Sequence, residues 1–407
     1  MKYLILVGDG MGDLPLAELD DRTPLEAADT PTMDRLCQRG ELFLTRTVPL
    51  GYPPGSDVAN LSLLGYRPEE YYTGRAPLEA AAMGLQLAED ETAFRCNLVT
   101  LEREAQNRIR MVDYSAGHIS TEEAKELIDA LEAECSSDRF HLKAGINYRH
   151  ILLVKGDYPR LDPAPPHDFI GKDVSAPWQR YMADPEWQQL LNSAASVLAE
   201  HPVNLKRIEA GKNPANSIWL WGEGKMPSMP TLQQRFGLQG SLISAVDLLK
   251  GLGINAGLDI LNIPGATGYI DTNYQGKAEA ALECLREQDF VFVHVEGPDE
   301  AGHQGIMEDK IQGIEDFDKK IVAPIVQGLR ERGEDFRLVA TMDHYTPLSL
   351  RTHIDSPVPT ILYDSREETE GSGLRFSEKT SMQAGNEEGD SLPDGEALMH
   401  KLLQRRQ

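Results

Sequence analysis

The chain carries two textures of apolar and polar residues. In the first, a short run that is apolar on both faces ends in a glycine- or proline-rich turn, and a stretch of helical period follows. Tyr3-Leu-Ile-Leu-Val7, Phe290-Val-Phe-Val-His-Val295 and Leu338-Val-Ala-Thr-Met342 are such runs. Strands buried on both faces belong to parallel sheets covered by helices. Helical stretches of this texture are read at 241–252, 276–287 and 310–332. Thr30-Pro31 marks another helix start, with Thr30 as N-cap and Pro31 in the first turn. Strands alternating with helices predict βαβ units, so the expected fold class is α/β with a central, mostly parallel sheet.

From about residue 91 the texture changes. Two neighbouring strands are read at 95–101 and 108–113, and an amphipathic helix over 121–133 with Thr121 as N-cap. A strand follows at 151–154, then a proline-rich connection over 159–177 and a helix over 184–200. Ser217 to Trp221 then resumes the first texture. The expected organisation is a discontinuous core, 1–90 and 216–407, interrupted by an inserted α+β domain, 91–215.

Composition narrows the function. The 407 residues carry a formal charge of −25, which argues against nonspecific nucleic-acid binding, since that needs a basic footprint. Four cysteines, Cys37, Cys96, Cys135 and Cys284, are widely spaced and form no Cys-x-x-Cys pair, so neither a disulfide framework nor a structural zinc site is expected. A strand-type run begins by residue 3 with no signal-peptide pattern, and no apolar run reaches membrane-span length. A soluble, cytoplasmic protein without a membrane partner is expected; oligomeric state is left open.

Each doubly apolar run leads into a carboxylate. Asp9 follows the first, Asp343-His344 the third, and the second runs into Glu296-Gly-Pro-Asp299-Glu-Ala-Gly-His303. In open α/β sheets ligands bind beyond the carboxyl ends of the strands, so groups distant in sequence can converge there. Asp299 and His303 are four apart, one face of a helix. His353 lies in a loop flanked by prolines. Mixed carboxylate and imidazole donors suit Mn²⁺ or Zn²⁺, with oxygen ligands tilting the choice to Mn²⁺. Two such ions roughly 3.5–4 Å apart clamp both oxygens of an in-line displacement at phosphorus. Pro53-Pro-Gly-Ser56 feeds a short helix whose free N–H groups favour an anion. Metal contact would activate the Ser56 hydroxyl. Taken singly, each feature has an ordinary structural use: serine after Pro-Gly commonly caps a helix, and a loop histidine is commonly just solvated. Their combination is what specifies a site.

These motifs resemble the alkaline phosphatase superfamily and, more narrowly, cofactor-independent phosphoglycerate mutase of the archaeal type. The matching segments are Gly8-Asp-Gly-Met-Gly-Asp13, Gly55-Ser-Asp-Val-Ala-Asn60, Tyr72-Thr-Gly-Arg-Ala-Pro-Leu-Glu79, Pro264-Gly-Ala-Thr-Gly-Tyr-Ile-Asp271, Glu296 to His303, and Asp343-His344. The resemblance implies an alkaline-phosphatase-like core with an inserted substrate-binding cap. It also implies two divalent ions, Mn²⁺ first, with Zn²⁺, Co²⁺ and Mg²⁺ as alternatives. Asp9, Ser56, Asp343 and His344 would hold one ion, and Asp299, His303 and His353 the other. Ser56 would take the phosphoryl group of a small phosphorylated substrate, 3-phosphoglycerate, and return it to the 2-hydroxyl. One segment departs from the family pattern: Asp113-Tyr-Ser-Ala-Gly-His118 stands where two arginines are expected. Arginine grips carboxylate or phosphate through a planar fork that Tyr and His cannot copy. Substrate contacts are therefore sought at Arg75, His118, Arg149, His150, His167 and Lys225. Homoserine is the alternative acceptor. A non-catalytic, metal-binding regulatory protein is the alternative of another class, and the complete donor set argues against it.

Overall fold

The doubly apolar runs become inner strands of a parallel sheet, as their burial requires. The computed structural model describes residues 1–105, 108–158, 164–367, 373–386 and 391–404. In chain order its strands are β1 (Lys2–Gly8), β2 (Glu41–Thr45), β3 (Glu91–Arg103), β4 (Ile109–Asp113), β5 (Phe140–Ile146), β6 (Arg149–Lys155) and β7 (Ser217–Gly224). They continue with β8 (Gly240–Ile243), β9 (Asp259–Ile260), β10 (Phe290–Val295), β11 (Phe336–Thr341), β12 (Val358–Asp364) and β13 (Ser391–Leu392).

The chain divides into two units, Met1–Tyr72 with Ser228–Gln407, and Thr73–Pro227. The first holds an eight-stranded sheet of order β13-β2-β12-β11-β1-β10-β8-β9. Only the β11–β12 and β12–β2 pairs are antiparallel, so the α/β class with a mostly parallel sheet holds. Every residue of β10 and β11 is buried. Leu4, Leu6, Val291, Val293, Leu338 and Ala340 pack with Met33, Leu36, Ala278, Ile314, Phe317 and Ile321 from the covering helices.

Helix starts show where side chains replace the expected caps. The helix Pro31–Arg39 does have Pro31 in its first turn, but the Thr30 side chain caps nothing. The free N–H groups of Thr32 and Met33 go instead to Asp318, at 3.1 and 2.6 Å. A carboxylate accepts two such bonds and adds a favourable charge at the helix N-terminus, which one hydroxyl cannot match. Asp318 is available because 307–331 is one helical run broken by a wide turn at Asp318–Val322. The helix read at 241–252 begins later, at Asp247, since Ser241 to Ile243 pair with β10.

The second unit is an antiparallel sheet, β4-β3-β6-β5, with β7 also on β3. Ser217–Gly224 pairs with β3, and Arg75–Ala82 packs on β3 and β7, so both belong with this unit. Ser217 to Trp221 is an apolar strand in either sheet; its pairing partner, not its local pattern, decides where it goes. The helix Thr121–Cys135 is capped by Ser120, one residue before the expected Thr121, through a capping box with Glu123. The proline-rich connection contains the helix Ser175–Met182, and its residues 159–163 lie outside the described residues.

One buried ammonium ties together the loops that follow β1 and β11. Lys310 Nζ lies 2.7 Å from Asp13 Oδ2 and donates to the Gly12 and Thr346 carbonyls at 2.9 and 2.8 Å. Neither Lys310 nor Asp13 reaches solvent. Lys310→Met strands the Asp13 carboxylate without its counter-charge, and should cost about 3–5 kcal/mol of unfolding free energy. Denaturant titration should show that loss, and should show the Lys310→Met/Asp13→Leu double variant recovering part of it.

Candidate metal centre

Strand register builds the site. β1 pairs in parallel with β10 on one side and β11 on the other, Gly8 opposite Val295 and Val7 opposite Thr341. Three carboxyl ends therefore empty at one edge, where α/β sheets bind ligands. The Asp9 N–H donates to the Val295 carbonyl at 2.9 Å. Past β10 the helix Gly297–Gln304 carries Asp299 and His303 on one face, Asp299 Oδ2 lying 3.3 Å from His303 Nε2. Gly10 makes room for Asp299: its φ is +61°, and a Cβ there would stand 2.6 Å from Asp299 Oδ1. Its N–H donates to Asp343 Oδ1 at 3.1 Å.

All seven residues singled out in the sequence meet here. Ser56 is the first residue of the helix Ser56–Leu63, and its Oγ lies 3.1 Å from His344 Nε2. His344 Nε2 is 3.5 Å from both Asp9 Oδ1 and Asp343 Oδ2. His353 Nε2 is 3.4 Å from Asp299 Oδ1 and 2.9 Å from His303 Nε2. Two residues escaped the sequence pattern. Asn60, one helical turn after Ser56, donates to the Ser56 carbonyl at 2.8 Å and to Asp343 Oδ2 at 2.9 Å. His294, inside β10, places Nε2 3.2 Å from Asp9 Oδ2. Asn60 sits within a quoted motif, whereas His294 reads only as one position of an apolar run.

Donor chemistry shows that the cluster fits cations. His303 Nδ1 faces the Arg351 carbonyl at 3.0 Å, and His353 Nδ1 faces the Pro54 carbonyl at 3.3 Å. Carbonyls only accept, so both Nδ1 atoms carry hydrogen, and the two Nε2 atoms are left facing each other at 2.9 Å. Facing lone pairs need a proton or a metal ion between them. Asp9 Oδ1 and His294 Nε2 are buried without any hydrogen-bond partner. Two groups of donor atoms lie within 4.8 Å of one another: Asp299, His344 and His353, and Asp9, His294 and Asp343. His344 thus groups with Asp299 and His353 while keeping its contact with Ser56.

Charge in the cluster is unevenly held. Burial, with the Asp343 and Asp299 charges, pushes the Asp9 carboxyl well above the usual range. Burial acts the same way on Asp299, but hydrogen bonds from His303 and His353 outweigh it and hold that carboxyl well below. The bond to Asp299 lifts His303 to about 9. Burial drops His344 to about 4, leaving it neutral and able to ligate.

Four of the expected substrate contacts gather on one face of the second unit. Arg149 stacks over Tyr148 at 5.6 Å, and Tyr114 lies edge-on to Tyr148, His118 and His167. His167 is 6.0 Å from Trp221, and Arg95, missed in the sequence, sits 3.9 Å over that ring. Arg95 pairs with Glu79 at 3.0 Å and feels the Arg75 and Arg149 charges. The other two lie elsewhere. His150 alternates with Arg149 onto the buried face, where its Nδ1 accepts from the Gly145 N–H at 3.0 Å and burial drops it to about 3. Lys225 follows β7 with its ammonium 3.2 Å from the Glu89 carbonyl.

Fold and donors together define an α/β protein whose buried carboxylate and imidazole cluster suits divalent metal ions. A family model described as 2,3-bisphosphoglycerate-independent phosphoglycerate mutase matches residues 37–204. The protein of that name from Methanosarcina acetivorans is 49% identical to 95% of this chain, over 96% of its own length. A probable 2,3-bisphosphoglycerate-independent phosphoglycerate mutase from Geobacter sulfurreducens is 48% identical, with both chains covered in full. The solved cofactor-independent phosphoglycerate mutase from Thermoplasma acidophilum is similar with a TM-score of 0.65 at 26% identity, over 99% of each chain. The chain belongs to the 2,3-bisphosphoglycerate-independent phosphoglycerate mutase family. Among the described residues no helix is long and apolar enough to cross a membrane.

The raised His303 has a measurable consequence. Its charged form stabilises the metal-free fold fully below about pH 6.5, and that contribution is lost as pH rises through about 9. A metal ion taken up at His303 at pH 7.5 would have to displace this proton. Calorimetry in two buffers of different ionisation enthalpy should show net proton release on Mn²⁺ binding, and about one proton fewer for His303→Gln.

Proposed function

We propose that the chain interconverts 3-phosphoglycerate and 2-phosphoglycerate by metal-dependent phosphoryl transfer through Ser56. The observation that carries this is Ser56 Oγ at a helix N-terminus, 3.1 Å from a neutral, metal-competent His344 and fixed from behind by Asn60. The names of the related proteins supply the substrate. We assign two divalent ions to the centre, with Mn²⁺ as the resident metal. Asp9, Ser56, Asp343 and His344 would hold one, and Asp299, His303 and His353 the other. Bound ions would lower the proton affinity of the Ser56 hydroxyl and neutralise charge on the phosphoryl oxygens.

The residues themselves set the rest. Ser56 Oγ forms the new bond to phosphorus as the bond to the substrate's 3-oxygen breaks, and that oxygen leaves as the hydroxyl after taking up a proton. In the second step the 2-hydroxyl gives up its proton and its oxygen bonds to phosphorus as the Ser56 Oγ–P bond breaks, and Ser56 regains a proton. Free N–H groups at the start of the helix Ser56–Leu63 favour the phosphoryl charge throughout. We assign Arg149, with Arg75, His118 and His167 around it, as the substrate-binding residues of the second unit. Tyr114 and His118 stand where the family pattern calls for arginines, which raises a second reading, transfer to another small alcohol such as homoserine. Arg75, Arg95 and Arg149 supply guanidinium chemistry from other positions, which favours phosphoglycerate.

Ser56→Ala should cut conversion of 3-phosphoglycerate by at least about a thousandfold while circular dichroism and Mn²⁺ uptake stay near those of the parent. Robust turnover by that variant, or none by the metal-loaded parent, would end the proposal; in the latter case homoserine phosphorylation is the next assay. Arg149→Leu should raise KM for 3-phosphoglycerate by roughly ten- to a hundredfold, the size of a lost charge-assisted bond.

A further inference from the structure

Given the metal centre proposed above, we propose that His294 is one of its ligands, through Nε2, and that the buried pair Lys277–Glu296 is the device that aims it. Neither the sequence pattern nor the family motifs assign this residue a role. It lies in β10, in a run of valines and phenylalanines, with no solvent exposure. Val293 and Val295 on either side join the hydrophobic core, so strand alternation sends His294 to the opposite face. A buried imidazole in such a place must find partners for both nitrogens.

One nitrogen is accounted for. Nδ1 lies 3.1 Å from Glu296 Oε1, and a carboxylate only accepts, so Nδ1 carries the hydrogen. Glu296 is itself fixed: its Oε1 accepts from the Ser244 hydroxyl at 2.8 Å and the Ala245 N–H at 3.2 Å. Lys277 Nζ stands 3.3 Å from its Oε2 and donates to the His294 carbonyl at 2.9 Å. The ammonium already balances the Glu296 charge, so Glu296 does not require His294 to be an imidazolium. A neutral ring with hydrogen on Nδ1 presents a lone pair at Nε2.

The other nitrogen lies among carboxylates. Nε2 approaches Asp9 Oδ2 at 3.2 Å and Asp343 Oδ2 at 3.9 Å, yet it has no aligned hydrogen bond. Asp9 Oδ1 is likewise buried and without a partner. Donor atoms of Asp9, His294 and Asp343 all lie within 4.8 Å of one another. Atoms that crowd together without bonding each other are arranged around a common third party, and a divalent cation fits the donor set. Carboxylate–histidine–metal relays fix ring orientation and tautomer in this way. Glu296 and Lys277 are positioning residues: they touch the ring and its backbone, not the ion. The competing account makes His294 an imidazolium that neutralises Asp9 and Asp343 with no ion attached.

The test reads metal binding directly. Protein carrying ¹⁵N-histidine is loaded with ¹¹³Cd²⁺, and one-bond ¹¹³Cd–¹⁵N couplings are sought; His294→Gln identifies the His294 signal by its absence. A coupling at His294 Nε2 of the unmutated protein supports the proposal without relying on any variant folding. Couplings at His303, His344 and His353 with none at His294 would overturn it while leaving the centre intact. No coupled histidine at all would overturn the centre and this inference together. Co²⁺ titration gives an independent readout. His294→Gln should weaken one of the bound ions by roughly a hundredfold and change the visible absorption of Co²⁺, whereas Glu296→Gln should weaken it by roughly tenfold and keep the donor set. Parent-like affinity and spectrum in His294→Gln would point to the imidazolium account and sink the proposal.

Discussion

The structure depends on β1 being the shared parallel neighbour of β10 and β11. That one pairing brings three carboxyl ends to a single edge, and it places Asp9, Asp299 and Asp343 close enough to repel each other. The first unit answers with buried positive charge held at fixed positions. Lys310 stands behind the Gly12 and Thr346 loops, and Lys277 behind His294 and Glu296. Both ammonium groups are fully buried, where a charge survives only if paired. They orient the donors without occupying the space among them. Like-charged carboxylates in a dry pocket are costly in isolation, and a cation among them would relieve that cost.

How much of this the sequence disclosed depends on whether the cause was local. Asp9, Asp299 and Asp343 were legible because each follows a strand end, and strand ends show in apolar patterning. Ser56 and Gly10 were legible because prolines and glycines mark turns. His294 was hidden for the opposite reason: inside a strand, patterning reports burial and says nothing about what a buried polar atom meets. Arg95 and the pairing of β7 were hidden because both depend on which strand lies alongside, a long-range fact. The Thr30 and Thr121 caps were displaced by Asp318 and Ser120, since a better acceptor was available nearby in space in one case and one residue earlier in the other. His150 shows the same limit from the other side. It is adjacent to Arg149 in sequence, but strand alternation turns it into the core.

The second unit carries guanidinium groups outside the 113–118 segment. Where 113–118 offers Tyr114 and His118, guanidinium groups converge from Arg75 ahead of β3, Arg95 on β3 and Arg149 on β6. Aromatic rings between them, with Trp221 beneath Arg95, hold those cations flat and partly dehydrated. Guanidinium groups in this unit are thus gathered on a sheet face, where Glu79 pairs with Arg95.

The pairing of β1 also constrains how the molecule can be made. On a ribosome the first strand emerges well before its partners, which begin at residues 290 and 336, so it waits with both edges open. The second unit, whose strands lie between residues 91 and 224 and pair only with one another, can complete its sheet in that interval. Synthesis therefore leaves a long window in which a doubly apolar strand is unprotected and no metal donor set is whole. A chain cut short before residue 336 would keep every strand of the second unit and leave β1 exposed and sticky, a natural target for chaperones and for degradation.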